Sequence, residues 1–96
     1  MRVIFLEPAR DEFLKAVDFY EEQVSGLGAD LLVEVEEKAE SLKINPNLGA
    51  SYVAGTRRTM LHRFPYYIIY LVETDALIIL AIAHQRLRPG YWKNRL

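Results

Sequence analysis

Apolar positions along the chain change their spacing several times, and each change marks an element. Val3-Ile4-Phe5-Leu6 is an unbroken apolar run closed by Glu7-Pro8, which predicts a short strand followed by a break. From Ala9 the spacing lengthens: Ala9, Phe13, Ala16, Val17, Tyr20 and Val24 recur every three or four residues, one face of a helix. Pro8 suits the first turn, and Asp11 and Glu12 suit its positive end. Ser25-Gly26 predicts the end, because Gly takes the left-handed cap without strain. After Leu27-Gly28, the residues Leu31, Leu32, Val35, Ala39 and Leu42 repeat the helical spacing with Glu and Lys on the other faces. Asn45-Pro46 stops this second helix, since the residue before Pro avoids helical dihedrals. So short a link predicts an antiparallel helical hairpin.

The second half follows a different rule. Residues 46–56 contain two Gly, one Pro and no period, and are expected to form a loop. Arg57 to His62, Phe64 to Glu73 and Leu77 to Ala83 are expected to be strands, with Thr74-Asp75 as a turn. Three strands with short links form an antiparallel meander. The run Ile78-Ile79-Leu80-Ala81-Ile82-Ala83 does not alternate with polar residues, which predicts a central strand covered on both faces. The helices supply one cover. The other must come from the C-terminal tail, which turns away at Pro89-Gly90, or from a partner. The expected fold is α+β, a single domain over residues 1–96. It has the order β-α-α-β-β-β, with the helical hairpin on a small, mostly antiparallel sheet.

Composition narrows the chemistry. The chain of 96 residues is 51% apolar and 26% charged and has no cysteine, an ordinary globular balance without thiolate sites. Its two histidines, His62 and His84, have no carboxylate at nearby ligand spacing, so no metal and no cofactor is expected. No Gly-rich phosphate loop and no serine elbow is present. The opening apolar stretch is too short for a signal peptide, and nothing approaches the ~20 apolar residues of a membrane span. A cytoplasmic location is expected. The net charge of −1 hides a division. Residues 7–41 carry eleven acids and three bases, a sum of −8; residues 55–96 carry seven bases and two acids, a sum of +5. Six of those seven bases are Arg, the residue suited to forked contacts with oxyanions. The C-terminal half therefore suits an acidic partner.

The sharpest cluster follows the last strand, in LIILAIAHQRLRPGYW, Leu77 to Trp92. Metal-free RNA cleavage needs a base, an acid and cations around the phosphorane. His84 or Tyr91 could supply the first two, Arg86, Arg88 and Arg63 the clamp, and Trp92 or Tyr91 a stacking surface. Each has a plainer reading. His84 can be a hydrogen-bonded strand end, and Arg63 can pair with Glu73 or Asp75 across a hairpin. Tyr66, Tyr67 and Tyr70 can be sheet packing. Arg86 and Arg88 can anchor the tail or grip a partner's carboxylate.

The element order, together with RFPYYIIY (Arg63–Tyr70) and AHQRLRPGYWKNR (Ala83–Arg95), resembles the RelE/ParE superfamily of toxins from type II toxin–antitoxin modules. The likeness is greatest to its ParE-like branch, the plasmid stabilisation proteins. The resemblance implies a toxin neutralised by a cognate antitoxin, acting on DNA gyrase in the ParE-like branch or cleaving ribosome-bound mRNA in the RelE-like branch. It implies a target- or nucleic-acid-binding set of Arg57, Arg58, Arg63, Arg86, Arg88 and Trp92. If the chain is a ribonuclease, it implies a catalytic set of His84, Arg86, Arg88 and Tyr91. The middle strand departs from the RelE pattern. Tyr67 stands where those enzymes carry an arginine three residues before the strand's tyrosine, here Tyr70, and RTML replaces a lysine-rich strand. That departure favours a binding inhibitor. The alternatives are the ribonuclease and a non-toxic relic that retains antitoxin binding.

Overall fold

A computed structural model describes all 96 residues. The elements are β1 (Arg2–Phe5), α1 (Glu7–Gln23), α2 (Leu27–Ile44), β2 (Ala50–Ser51), β3 (Arg57–Met60), β4 (Tyr66–Val72) and β5 (Ala76–His84). They form one sheet in the order β1-β5-β4-β3-β2. β1 runs parallel to β5, and the remaining pairs are antiparallel. The helical hairpin joins β1 to the meander and covers one face. The α+β fold and its element order are those expected from the spacing.

The differences lie at the element ends, and each has a local cause. α2 begins at Leu27, so Gly28 is inside the helix rather than before it. A Cβ there would stand 2.5 Å from the Val17 carbonyl oxygen, so only Gly lets α1 and α2 approach this closely. Gly26, with φ of 91°, makes the left-handed turn between the helices. The Glu21 carboxylate accepts the Gly26 and Gly28 N–H groups at 2.9 and 3.0 Å, capping α2 from the preceding helix. β3 stops at Met60 because Glu34 of α2 accepts the N–H groups of His62 and Arg63, which then cannot join a ladder. β4 starts after Pro65, which has no N–H to give. The stretch expected as pure loop holds the two-residue β2, which pairs Ala50 with Arg58 and Ser51 with Arg57. Its apolar residues are too few for any period to register.

The run in β5 does not alternate because both its faces are covered, and a β-bulge sets which residues share a face. Pairing with β4 steps from Tyr70↔Ile79 to Ile69↔Ala81 and leaves out Leu80. Leu77, Ile79 and Ile82 accordingly face the helices, in a core with Leu31, Val35, Leu42, Ile68 and Tyr70. Leu80, Ala81 and Ala83 face the other way, in a second core closed by Trp92. Trp92 is only 1% exposed. The tail thus supplies the second cover, and a base-stacking role does not fit a ring so enclosed.

β1 ends at Phe5, and Leu6 N–H makes the last main-chain bond of this seam, to Ile79. Beyond that point β5 has a bare edge, which side chains occupy. Arg95 donates to the Leu80 carbonyl at 3.0 Å, and Glu12 of α1 accepts the Ile82 N–H at 3.1 Å. The two side chains also bind each other through paired contacts of 2.9 and 3.0 Å. Tyr91 donates its hydroxyl to Glu12 at 2.5 Å. This cluster ties the tail to α1 and to the bulge at once. Burial, followed by the hydrogen bond to Glu12, holds the Tyr91 hydroxyl well above the ordinary phenol range. The Glu12 hydrogen bond likewise raises Arg95.

Candidate functional site

The expected basic residues do not converge on one place. Arg57 donates to the Gly49 carbonyl at 2.7 Å and so fixes the loop before β2. Arg63 pairs with Asp30 of α2 at 3.3 Å, not with Glu73 or Asp75, because it lies at the opposite end of β4 from that turn. Arg86 is exposed, and its own N–H caps His84. Arg58 and Arg88 do share one site. They line a cavity of about 50 Å³ on the sheet face away from the helices, with Tyr52, Tyr67, Gln85, Tyr91 and Trp92 among its walls.

The position of Arg58 follows from register. Its Cα partner on β4 is Ile69, so it shares a face with Ile69 and, diagonally, with Tyr67. The guanidinium carbon lies 4.2 Å from the Tyr52 ring centre and 4.4 Å from that of Tyr67. An arginine held between two rings has both faces occupied and its in-plane N–H donors free. Arg88 arrives from the tail turn. The three ion pairs of the protein are made by Lys43, Arg63 and Arg95, so neither cavity arginine has a carboxylate partner. No Asp or Glu lines the cavity. The charge division in the sequence has become a division in space, with the acids on the helical side and two uncompensated arginines opposite.

His84 is the C-terminal residue of β5, paired with Tyr66, whose ring meets its imidazole edge-on at 5.1 Å. The Arg86 N–H donates to His84 Nδ1 at 3.1 Å. In the neutral ring that contact assigns the proton to Nε2. The ring lies on the helical face with Tyr66 and Ile82, across the sheet from Arg58. Tyr66 is pushed up to about 12, by burial first and then by Tyr20. Tyr70 is raised by burial, and its hydroxyl accepts from Gly49 N–H at 2.9 Å while donating to the Pro46 carbonyl at 2.7 Å. It is a buried strut for the loop.

Sequence reasoning missed Tyr52, which lies in the aperiodic segment and carries no spacing signal. It also missed Glu12 and Arg95, whose only signal was charge on elements far apart in the chain. No group of residues is arranged to hold a metal.

The chain is similar in fold to the solved structure described as the chromosomal ParDE TA system from P. aeruginosa. The TM-score is 0.76 at 23% identity, covering 88% of this chain and 95% of that one. No curated relative matches it. Residues 3–89 match the family model described as the ParE toxin of the type II toxin–antitoxin system parDE, a span that holds Arg58, His84 and Arg88 and stops short of Tyr91 and Trp92. The chain belongs to the ParE toxin family of type II toxin–antitoxin systems.

Proposed function

We propose that this ParE-family toxin acts by binding DNA gyrase rather than by cutting RNA, and that a cognate antitoxin neutralises it by covering the toxin. The observation that carries the choice is the state of the two candidate proton-transfer groups. His84 Nδ1 is occupied by the Arg86 N–H, and the Tyr91 hydroxyl is committed to Glu12. A phenol held above its ordinary range, donating to a carboxylate, is a poor base at neutral pH. The free cations Arg58 and Arg88 remain, which suits recognition of an acidic surface without a chemical step.

One observation favours the ribonuclease reading: two arginines without carboxylate partners border the same cavity. Tightly induced expression without antitoxin separates the readings. Labelled thymidine and amino-acid incorporation are followed over the first minutes, and purified protein is added to a gyrase supercoiling assay. Early loss of thymidine incorporation and of supercoiling supports gyrase binding. Early loss of amino-acid incorporation, with cleaved mRNA that disappears in Arg86→Ala, replaces it with the nuclease. Loss of neither leaves an antitoxin-binding relic. No helix of the chain is long and apolar enough to cross a membrane.

A further inference from the structure

We infer that the cavity between Arg58 and Arg88 is a binding site for a single phosphate group. Two observations meet there. Arg58 is preorganised, its plane clamped between Tyr52 and Tyr67 at 4.2 and 4.4 Å, so its donors reach a ligand with little further loss of side-chain freedom. The lining carries two arginines and no carboxylate, in a protein whose acids outnumber its bases overall.

Charge and size select the ligand class. Arg58 arrives from β3 and Arg88 from the tail turn, so one oxyanion can meet both cations. Two unpaired positive charges match a dianion, and a phosphate monoester is close to that state above its second pKa of about 6. A cavity of about 50 Å³ admits a group of a few heavy atoms and not a nucleobase. The stacking surfaces are already spent: Tyr52 and Tyr67 on Arg58, Trp92 in the second core. The site therefore reads a phosphate and not the base attached to it. It lies on the face through which the gyrase reading has the toxin meet acidic surface, and rests on that reading for its biological use. The binding itself is independent of any target.

The test uses the purified full chain and amide NMR at about pH 8. Inorganic phosphate is titrated against chloride at matched ionic strength, because salt alone screens a basic patch. Expected is a saturable shift confined to residues around Arg58, His84 and Arg88, with a Kd on the order of 1 mM, the scale for so small a ligand. Arg88→Gln, on an exposed residue that leaves the fold intact, should weaken it by about tenfold, the effect of one lost charged hydrogen bond. Arg58→Lys keeps the charge and loses the planar fork, and should weaken it similarly. A short oligonucleotide is then compared with and without a 5′-phosphate. A phosphorylated oligonucleotide binding at least about tenfold tighter than free phosphate assigns the source to nucleic acid; equal affinity assigns it to free phosphate. The inference is overturned by shifts that never saturate, by wild-type affinity in both variants, or by an acidic peptide that binds this cavity more tightly than either phosphate. A gyrase assay that fails while phosphate binds would remove the target and leave the site.

Discussion

Glu12→Ala tests the account of the tail most directly. The wild-type carboxylate accepts from Ile82 N–H, from the Tyr91 hydroxyl and twice from Arg95. Removing it strips the acceptor from four donors on three residues, one in β5 and two in the tail. Breaking a fully buried ion pair by deleting one partner costs roughly 3–5 kcal/mol. Here the Arg95 and Glu12 side chains are 16% and 22% exposed, so water reaches part of the stranded guanidinium and lowers that figure. The orphaned Ile82 N–H and Tyr91 hydroxyl raise it again by about 1 kcal/mol each when water cannot reach them. The net expectation is about 2–4 kcal/mol of a total of about 5–15 kcal/mol. For a domain of this size that lowers Tm by roughly 10–25 °C. The assay is urea unfolding followed by Trp92 fluorescence, which reports burial of the ring beneath the tail. Glu12→Gln, which keeps one acceptor oxygen and loses the charge, should fall between the two. In a double-mutant cycle Glu12 and Arg95 should couple by at least about 1 kcal/mol. A loss under about 1 kcal/mol for Glu12→Ala would refute the reasoning, because the tail would then be held by Trp92 packing alone.

Other outcomes follow from separate parts of the fold. Tyr70→Phe strands the buried Gly49 N–H and the Pro46 carbonyl, and should cost about 1–3 kcal/mol in the same unfolding assay. Gly28→Ala forces a methyl against the Val17 carbonyl at 2.5 Å; overpacking of this kind costs roughly 1–3 kcal/mol, read as a lower urea midpoint with unchanged slope. Trp92→Ala should cost about 3–5 kcal/mol and uncover the second core, read as binding of a hydrophobic dye. Alkaline titration gives a signed test. Tyr66, Tyr70 and Tyr91 all have folded-state pKa values above the unfolded 10.0, Tyr66 at about 12. Their contribution to stability is complete below pH 10 and is lost as pH rises through the folded values. Tm should therefore fall from about pH 10 upward, and absorbance at 295 nm should rise in full only as the protein unfolds; a flat Tm to pH 12 would contradict it.

How far the sequence carried these conclusions depended on the range of the interaction. Both helices, the meander and the centrality of β5 were legible because each is written in the spacing of neighbouring apolar residues. Even the odd feature of β5, its failure to alternate, was legible as double-sided burial. The bulge at Leu80 that lets Ile79 and Ile82 share a face was not, since it depends on pairing with β4. The strand ends were misjudged where a distant side chain intervened, as Glu34 does at His62 and Arg63. The candidate site divides in the same way. Arg58, Arg88 and His84 were visible as residue types near strand ends, but which of them share a face depends on register and on a tail whose path no local signal fixes: Arg58 and Arg88 border one cavity, while the His84 ring turns to Tyr66 on the helical side. Arg57 and Arg63 were equally basic in the sequence and are committed elsewhere, to Gly49 and Asp30.

The tail also links stability to recognition. His84 and Arg88 bound the cavity from one segment, and Tyr91 and Trp92, which close it from beneath, belong to the groups that hold that segment down. Attachments at a chain end open locally with a free energy below that of global unfolding. Only the closed tail presents Arg88 to Arg58, so apparent affinity for an anion equals the intrinsic value scaled by the closed fraction. While the latch keeps that fraction near one, weakening it by 1 kcal/mol changes almost nothing. Once closed and open forms approach equal population, each further 1.4 kcal/mol costs nearly tenfold in affinity. A graded series at residue 12, from Glu through Gln to Ala, should therefore leave phosphate affinity flat and then drop it steeply, at temperatures where the helices remain folded. A proportional decline from the first substitution would mean instead that Glu12 acts on the cavity through its charge, and that the tail does not open as a unit.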